Sequence, residues 1–218
     1  MNQKLKLAIF DMDGLMFDTE RRYCDDAELL FGRLGIPIDM QALYDVIGTS
    51  LPIDMKRFNQ SSHSDEEVHR LMSQATADAV DDMCQNGVPV KKGLCELLQA
   101  LSAAGVRLAV ATSTERSRAK RLLRAAGVLD YFDFVITSAD VSHGKPAPDI
   151  FLHACQLGHA APEEAIIFED SVNGGRAAKA ARISYIIVPD IKQPTDDVRE
   201  GAFAVLPSLY EAVSLLSL

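Results

Sequence analysis

Two aspartates, Asp11 and Asp13, stand one residue apart at the end of the apolar run Ala8-Ile9-Phe10, with Gly14 directly behind them. One carboxylate can reach a metal and a substrate while the other approaches from the flank, and the backbone carbonyl adds a further oxygen. Hard oxygen donors of this kind suit Mg²⁺. Gly14 lets the chain turn sharply without a Cβ clash.

Further reactive residue types fall at the ends of other apolar runs. Thr112-Ser113-Thr114 follows Val106-Arg107-Leu108-Ala109-Val110-Ala111, and Glu169-Asp170-Ser171 follows Ala165-Ile166-Ile167-Phe168. Lys145 lies in the loop Gly144-Lys145-Pro146-Ala147-Pro148-Asp149. Gathered at one place, these groups suit phosphoryl transfer. Asp11 and Asp170, with the Asp13 carbonyl, would hold Mg²⁺. Lys145 would draw charge from the phosphoryl oxygens while Asp11 attacks phosphorus. Asp13 would protonate the leaving alkoxide and then take a proton from water. The Thr112 hydroxyl and the Ser113 backbone N–H would hold the transferred group in line. Each motif alone has an ordinary reading: an Asp turn, an N-cap, a solvated loop. Their joint occurrence in this order favours the chemical one.

The elements that must position them read as a repeating pattern. From Val106 onward, apolar strand-like runs alternate with helical stretches: a basic helix through Ala126 stopped by Gly127, a strand at Phe134-Val135-Ile136, a helix from near Pro148, a helix from Gly174 to Ala181, and a closing strand at Tyr185-Ile186-Ile187-Val188. Such alternation predicts an α/β fold, a doubly wound parallel sheet covered by helices on both faces. Leu94, Leu97, Leu98 and Leu101 form one stripe of a preceding helix that ends before Gly105. In that fold the carboxyl ends of the strands line one crevice. Between the first strand and the Leu94 helix the chain lacks any comparable strand. It reads as an inserted helical cap over residues 17–86, returning through Asn86-Gly87-Val88-Pro89 to a core made of 1–16 and 87–218. Ser64 and Glu67 have capping-box spacing for the longest cap helix.

The chain has 218 residues, 48% of them hydrophobic, enough for a sizeable core. A net charge of −9 disfavours a nucleic-acid partner, because that affinity rests on basic residues releasing counterions. No signal-like or membrane-spanning run is found, so a cytoplasmic address with no membrane partner is expected. The four cysteines show no disulfide or C-x-x-C spacing and are expected to be reduced and mostly buried. The five histidines show no zinc spacing, and His143 reads as a loop residue. Nothing in the pattern specifies an oligomeric state.

With these motifs the chain resembles the haloacid dehalogenase superfamily, in particular its phosphatases with a helical cap after the first motif, a group that includes β-phosphoglucomutase. The resemblance rests on Asp11-Met12-Asp13-Gly14-Leu15-Met16-Phe17-Asp18-Thr19, Thr112-Ser113, Gly144-Lys145-Pro146-Ala147-Pro148-Asp149 and Phe168-Glu169-Asp170-Ser171-Val172-Asn173-Gly174. It implies a Rossmann-like core, a nucleophile at Asp11 and an acid/base at Asp13. It also implies phosphate contacts at Thr112 and Lys145, and Mg²⁺ bound by Asp11, Asp13 and Asp170, with Glu169 a lesser candidate ligand. Asp13 separates the chain from the dehalogenase and phosphonate-cleaving members, which lack this second acid; the cap's single lysine, Lys56, lies in no Schiff-base motif.

The expected reaction is hydrolysis of a small phosphorylated metabolite, a sugar phosphate being the favoured type. The alternatives are a phosphosugar mutase of the β-phosphoglucomutase type and, behind it, a non-catalytic phosphometabolite-binding protein. In the mutase a cap histidine and arginine control the intermediate; here Tyr23 and Leu51 stand at those places. Arg21, Arg22, Arg57 and Arg70 are further candidate substrate contacts.

Overall fold

Five apolar runs and one short segment form a six-stranded, wholly parallel sheet in the computed structural model, which describes residues 5–47 and 53–217. The strands are β1 (Leu7–Phe10), β2 (Arg107–Thr112), β3 (Phe134–Thr137), β4 (Ala165–Glu169), β5 (Ser184–Ile187) and β6 (Ala204–Val205), in the order β3-β2-β1-β4-β5-β6. Successive strands leave β1 first on one side and then on the other, so the crevice beside β1 is the expected ligand site of a doubly wound sheet. The register aims the polar tips at that crevice. Phe10 pairs with Val110 on one side and Phe168 on the other. One further residue sets Asp11 level with Ala111 and Glu169, and the Asp11 N–H donates to the Phe168 carbonyl at 3.0 Å.

Both faces of the sheet are apolar, which is why its strands lack polar alternation. Ala8, Phe10, Val110 and Phe168 pack against α5 (Leu94–Ala103) and α6 (Arg116–Ala125), with Phe10 stacked on Phe168 at 4.7 Å. Leu7, Ile9, Ala109 and Ile167 face α7 (Asp149–Gly158) and α8 (Val172–Ala181). Each such fully buried Leu, Ile or Phe stabilises the fold by about 1.5–3 kcal/mol relative to exposure. The β1 tip that carries Asp11 is thereby held rigidly.

Tyr185 to Val188 does not close the series: after α9 (Asp196–Gly201), β6 adds the pairs Ile186 with Ala204 and Ile187 with Val205. Two residues are too few for any periodicity to register. The last helix, α10 (Tyr210–Leu215), docks on α5, where a Cβ on Gly93 would lie 2.0 Å from the Tyr210 nitrogen.

Among the described residues, four helices lie between β1 and α5: α1 (Thr19–Leu34), α2 (Met40–Tyr44), α3 (Met55–Phe58) and α4 (Asp65–Asn86). They share a core of their own around Phe31, Leu43, Phe58 and Val68. The second half of α4 does otherwise, burying Ala79, Val80 and Met83 with the leucines of α5. Ser64 caps α4 by accepting from the Glu67 N–H at 3.2 Å, but the Glu67 carboxylate meets His63 at 3.0 Å instead of closing the box. The two crossings to the rest of the chain run side by side: the Asp18 N–H donates to the Pro89 carbonyl and the Lys91 N–H to that of Met16, both at 2.9 Å.

All four cysteines are free; Cys24 and Cys155 are buried, whereas Cys95, on the outer side of α5, is exposed, against the expectation of general burial. None of the described helices is long and apolar enough to cross a membrane.

Candidate active site

Asp11, Asp13, Thr112, Ser113, Lys145 and Asp170 line one cavity of about 410 Å³ at the carboxyl edge of the sheet. Segments as far apart as β1 and the loop before α7 thus meet at one point, because parallel strands in this register end together. Gly14 makes the approach possible. Its φ of +81° is a left-handed conformation, and a Cβ there would lie 2.4 Å from Asp170 Oδ2.

Lys145 is the electrostatic centre. Its Nζ donates to Asp11 Oδ1 at 2.5 Å, to Glu169 Oε1 at 2.6 Å and to the Ala111 carbonyl at 3.0 Å. Burial lowers a lysine's proton affinity, but Asp11 and Glu169 outweigh it and hold this ammonium charged well above neutrality. Glu169, fully buried, is committed on both oxygens. Its Oε2 accepts from the backbone N–H groups of Asp170 (3.0 Å) and Ser171 (2.9 Å) and from the Ser171 hydroxyl (2.9 Å). Gly174 leaves room for it beneath the start of α8, since a Cβ would fall 1.7 Å from Oε1. Ser171 also caps α8, its Oγ accepting from the Gly174 N–H at 3.0 Å, so the ordinary and the chemical readings of this motif coexist.

Carboxylate oxygens of Asp11, Glu169 and Asp170 come within 4.8 Å of one another, and all three residues are buried. Burial pushes Asp11 up to about 7, with Lys145 opposing, and burial and neighbouring carboxylates push Asp170 well above the usual range. Without a cation the cluster resists full ionisation; a divalent ion reverses that by favouring the carboxylates. The donor set is all hard oxygen and fits Mg²⁺. With Glu169 occupied, Asp11 and Asp170 are the two of these three that line the cavity.

Asp13 is held differently. Thr19, at the start of α1, donates to its Oδ1 and Thr114 to its Oδ2, each at 2.6 Å. Thr112 Oγ1 accepts from the Thr114 N–H at 3.0 Å, which leaves the Thr112 hydroxyl proton for a ligand. Thr112-Ser113-Thr114 is not the cap of α6; Glu115 is, accepting from the N–H groups of Ser117 and Arg118.

Sequence reasoning missed Thr19 and Thr114, whose roles exist only across the crevice, and Glu20, which lines the cavity and is pushed up to about 8 by burial and by Asp13 and Asp11. Adjacency to Asp18-Thr19 in the first helical turn was the available signal. Tyr23 lines the cavity from the next turn of α1. The candidate arginines are engaged elsewhere: Arg21 pairs with Asp18 and Asp190, Arg22 with Asp26 and Asp82, and Arg57 with Asp39 and Asp45, while Arg70 is exposed. His143 meets Asp149 in an exposed loop. Leu51, with 48–52, lies outside the described residues.

Residues 8–188 match the family of haloacid dehalogenase-like hydrolases. The chain is 30% identical over 217 residues to the phosphoglycolate phosphatase of Nitrosospira multiformis, covering 97% of this chain and 96% of that protein. It is 33% identical over 189 residues to the fructose-1-phosphate phosphatase of Escherichia coli K12, covering 86% and 98% respectively. The crystal structure of CbbY from Rhodobacter sphaeroides in complex with phosphate superposes with a TM-score of 0.78 at 27% identity, over 98% of this chain and all of that one. With sequence, sheet order and acidic crevice in agreement, this chain belongs to the haloacid dehalogenase-like hydrolases.

Proposed function

We propose that the chain is an Mg²⁺-dependent phosphatase that hydrolyses a small phosphorylated metabolite, sugar phosphates included, through an aspartyl-phosphate. The observation that carries this reading is the convergence of Asp11, Asp13, Thr112, Lys145 and Asp170 on one cavity. The relatives named for phosphoglycolate and fructose 1-phosphate share a phosphate monoester and differ in its alcohol, which supports the reaction class and leaves the alcohol to the pocket.

In this reading 17–86 form a cap over a core of 1–16 and 87–218, joined by the paired crossings at Met16–Asp18 and Pro89–Lys91. Asp11, Asp170 and the Asp13 carbonyl hold Mg²⁺, whose contribution is to neutralise phosphoryl charge and offset the repulsion between carboxylates. Lys145 fixes Asp11 through Oδ1 and shares the neutralisation. The Asp11 carboxylate attacks phosphorus, and the bond to the alcohol oxygen breaks. Asp13, oriented by Thr19 and Thr114, gives that oxygen a proton. It then takes one from the water that cleaves the aspartyl-phosphate. The Thr112 hydroxyl and the Ser113 N–H hold the phosphoryl oxygens during both steps.

Hydrolysis is favoured over a mutase because Tyr23, not a histidine, faces Asp13 from the cap side. The direct test is phosphate release from a panel of monoesters with Mg²⁺, with a chelator, and with Asp11→Asn. Release that requires both the metal and Asp11 supports the proposal; equal release from Asp11→Asn contradicts it.

A further inference from the structure

Asp190 lies just beyond β5, outside the lining of the phosphate cavity, and its side chain is only 2% exposed. Its Oδ1 accepts from Lys91 Nζ at 2.6 Å and from Arg21 Nη2 at 3.2 Å. Its Oδ2 is buried with no hydrogen-bond partner among the described residues, and a Cβ on Gly14 would come within 3.4 Å of it. Burying a carboxylate with one oxygen unpaired is costly, and an ion pair at the surface would avoid that cost. What the burial achieves is to fix two cations from distant parts of the chain, 169 and 99 positions away.

Both cations stand where Asp13 is supported. Arg21 belongs to the first turn of α1, as does Thr19, whose hydroxyl donates to Asp13 Oδ1 at 2.6 Å. Lys91 belongs to the segment before α5, and its backbone N–H holds the Met16 carbonyl in the loop between Asp13 and Thr19. A helix start is ordinarily secured by a side chain that accepts from its first free N–H groups. The start of α1 has none. The Asp18 side chain makes no capping hydrogen bond and lies instead beside Arg21, at 3.2 Å, and Lys91, at 3.5 Å. The link from Arg21 to Asp190 thus takes over the anchoring of this turn and ties it to the sheet.

We propose that Asp190 is a positioning residue for the acid/base Asp13. Through Arg21 it fixes the first turn of α1, and with it the Thr19 hydroxyl that orients the Asp13 carboxylate, while Lys91 holds the adjoining loop. This inference rests on the reading of Asp13 as the proton donor. Proton transfer requires the donor within hydrogen-bond reach of the ester oxygen, and a misplacement of about 1 Å can cost about 10²-fold in rate.

The test compares kcat/KM for phenyl phosphate and p-nitrophenyl phosphate, which differ only by the para-nitro group, at saturating Mg²⁺. Phenolate leaves poorly without a proton, nitrophenolate readily. Arg21→Met cuts the link at an exposed residue and leaves Lys91 on Asp190; Asp190→Asn keeps the shape and removes the charge. Each should lower the phenyl-to-nitrophenyl ratio by about fivefold or more, in the same direction as Asp13→Asn and by less than it. The double variant should lose no more than Asp190→Asn alone, because both substitutions break one link. The ratio is taken within one protein preparation, so a smaller folded fraction does not alter it, and a merely structural role lowers both esters alike. Should Asp190→Asn fail to fold, Arg21→Met decides alone. A ratio unmoved in either folded variant, or additive losses in the double variant, would overturn the positioning role; if Asp11→Asn still abolished turnover, the phosphatase reading would stand. A ratio unmoved by Asp13→Asn would overturn this role together with the acid assignment. No hydrolysis of either ester would overturn the phosphatase reading as well.

Discussion

Replacing Glu169 with glutamine isolates the residue that holds Lys145. The carboxylate satisfies two opposite demands, accepting from Lys145 on Oε1 and from two backbone N–H groups and a hydroxyl on Oε2. An amide of the same shape has one acceptor oxygen. If that oxygen stays with Asp170 and Ser171, the amide NH₂ faces an ammonium 2.6 Å away, donor against donor. If it turns to Lys145, the NH₂ meets the backbone donors. Removing one partner of a buried pair costs about 3–5 kcal/mol when the other charge is stranded. Lys145 is not stranded, because Asp11 and the Ala111 carbonyl remain. The loss should therefore approach that of one charged hydrogen bond, about 2–3 kcal/mol. For a chain of this size that lowers Tm by roughly 4–12 °C. Thermal unfolding followed by circular dichroism measures it, alongside kcat with p-nitrophenyl phosphate, which should fall as Lys145 loses its second anchor. A metal titration separates the two roles open to Glu169. A positioner of Lys145 leaves the Mg²⁺ concentration for half-activation nearly unchanged in Glu169→Gln, whereas a metal ligand raises it sharply. An unaltered Tm with unaltered kcat would refute the reasoning.

Asp13→Asn should cut kcat/KM for alkyl phosphates by about 10²–10⁴ and for p-nitrophenyl phosphate much less, since nitrophenolate leaves without a proton; equal losses in steady-state assays count against Asp13 as the acid. Gly14→Ala forces an alanine into a left-handed conformation at about 1–2 kcal/mol and drives its Cβ against Asp170 Oδ2. Calorimetric titration should then show Mg²⁺ binding weakened, and wild-type affinity would contradict the assignment of Asp170. Ser171→Ala removes the α8 cap and one donor to Glu169, with an expected loss of about 1 kcal/mol in urea unfolding; no change there would mean that the cap contributes nothing.

The strands and their polar tips were legible because each signal was local. An apolar run ending in Asp11-Met12-Asp13 or in Glu169-Asp170 records both a buried strand and its reactive end. The helical character of the stretch between β1 and α5 was legible through the absence of strand patterning, but its division was not. α2 and α3 have five and four residues and depend on packing around Phe58 and Leu43 rather than on periodicity. α4 changes allegiance midway, its later half joining the leucines of α5, and one continuous amphipathic pattern cannot announce two partners. Within the site, residue types were readable but partners were not. Glu169 could be placed near a metal, while its bond to Lys145 depends on a loop 24 positions away. The grip of Thr114 on Asp13 spans 101 positions. Asp190, its side chain nearly buried against Lys91 and Arg21, ties the start of α1 to the segment before α5 from beyond the end of β5, a place no motif marks.

The most direct test of the account asks whether phosphate passes through Asp11. Enzyme mixed with saturating p-nitrophenyl phosphate and Mg²⁺ is quenched in acid at successive times within the first turnovers, digested and weighed by mass spectrometry. The account predicts one phosphoryl group on the peptide containing Asp11, formed before phosphate is released and absent from Asp11→Asn. Phosphate release in the first turnover with no phosphorylated enzyme at any time, or with the label on another residue, would contradict it.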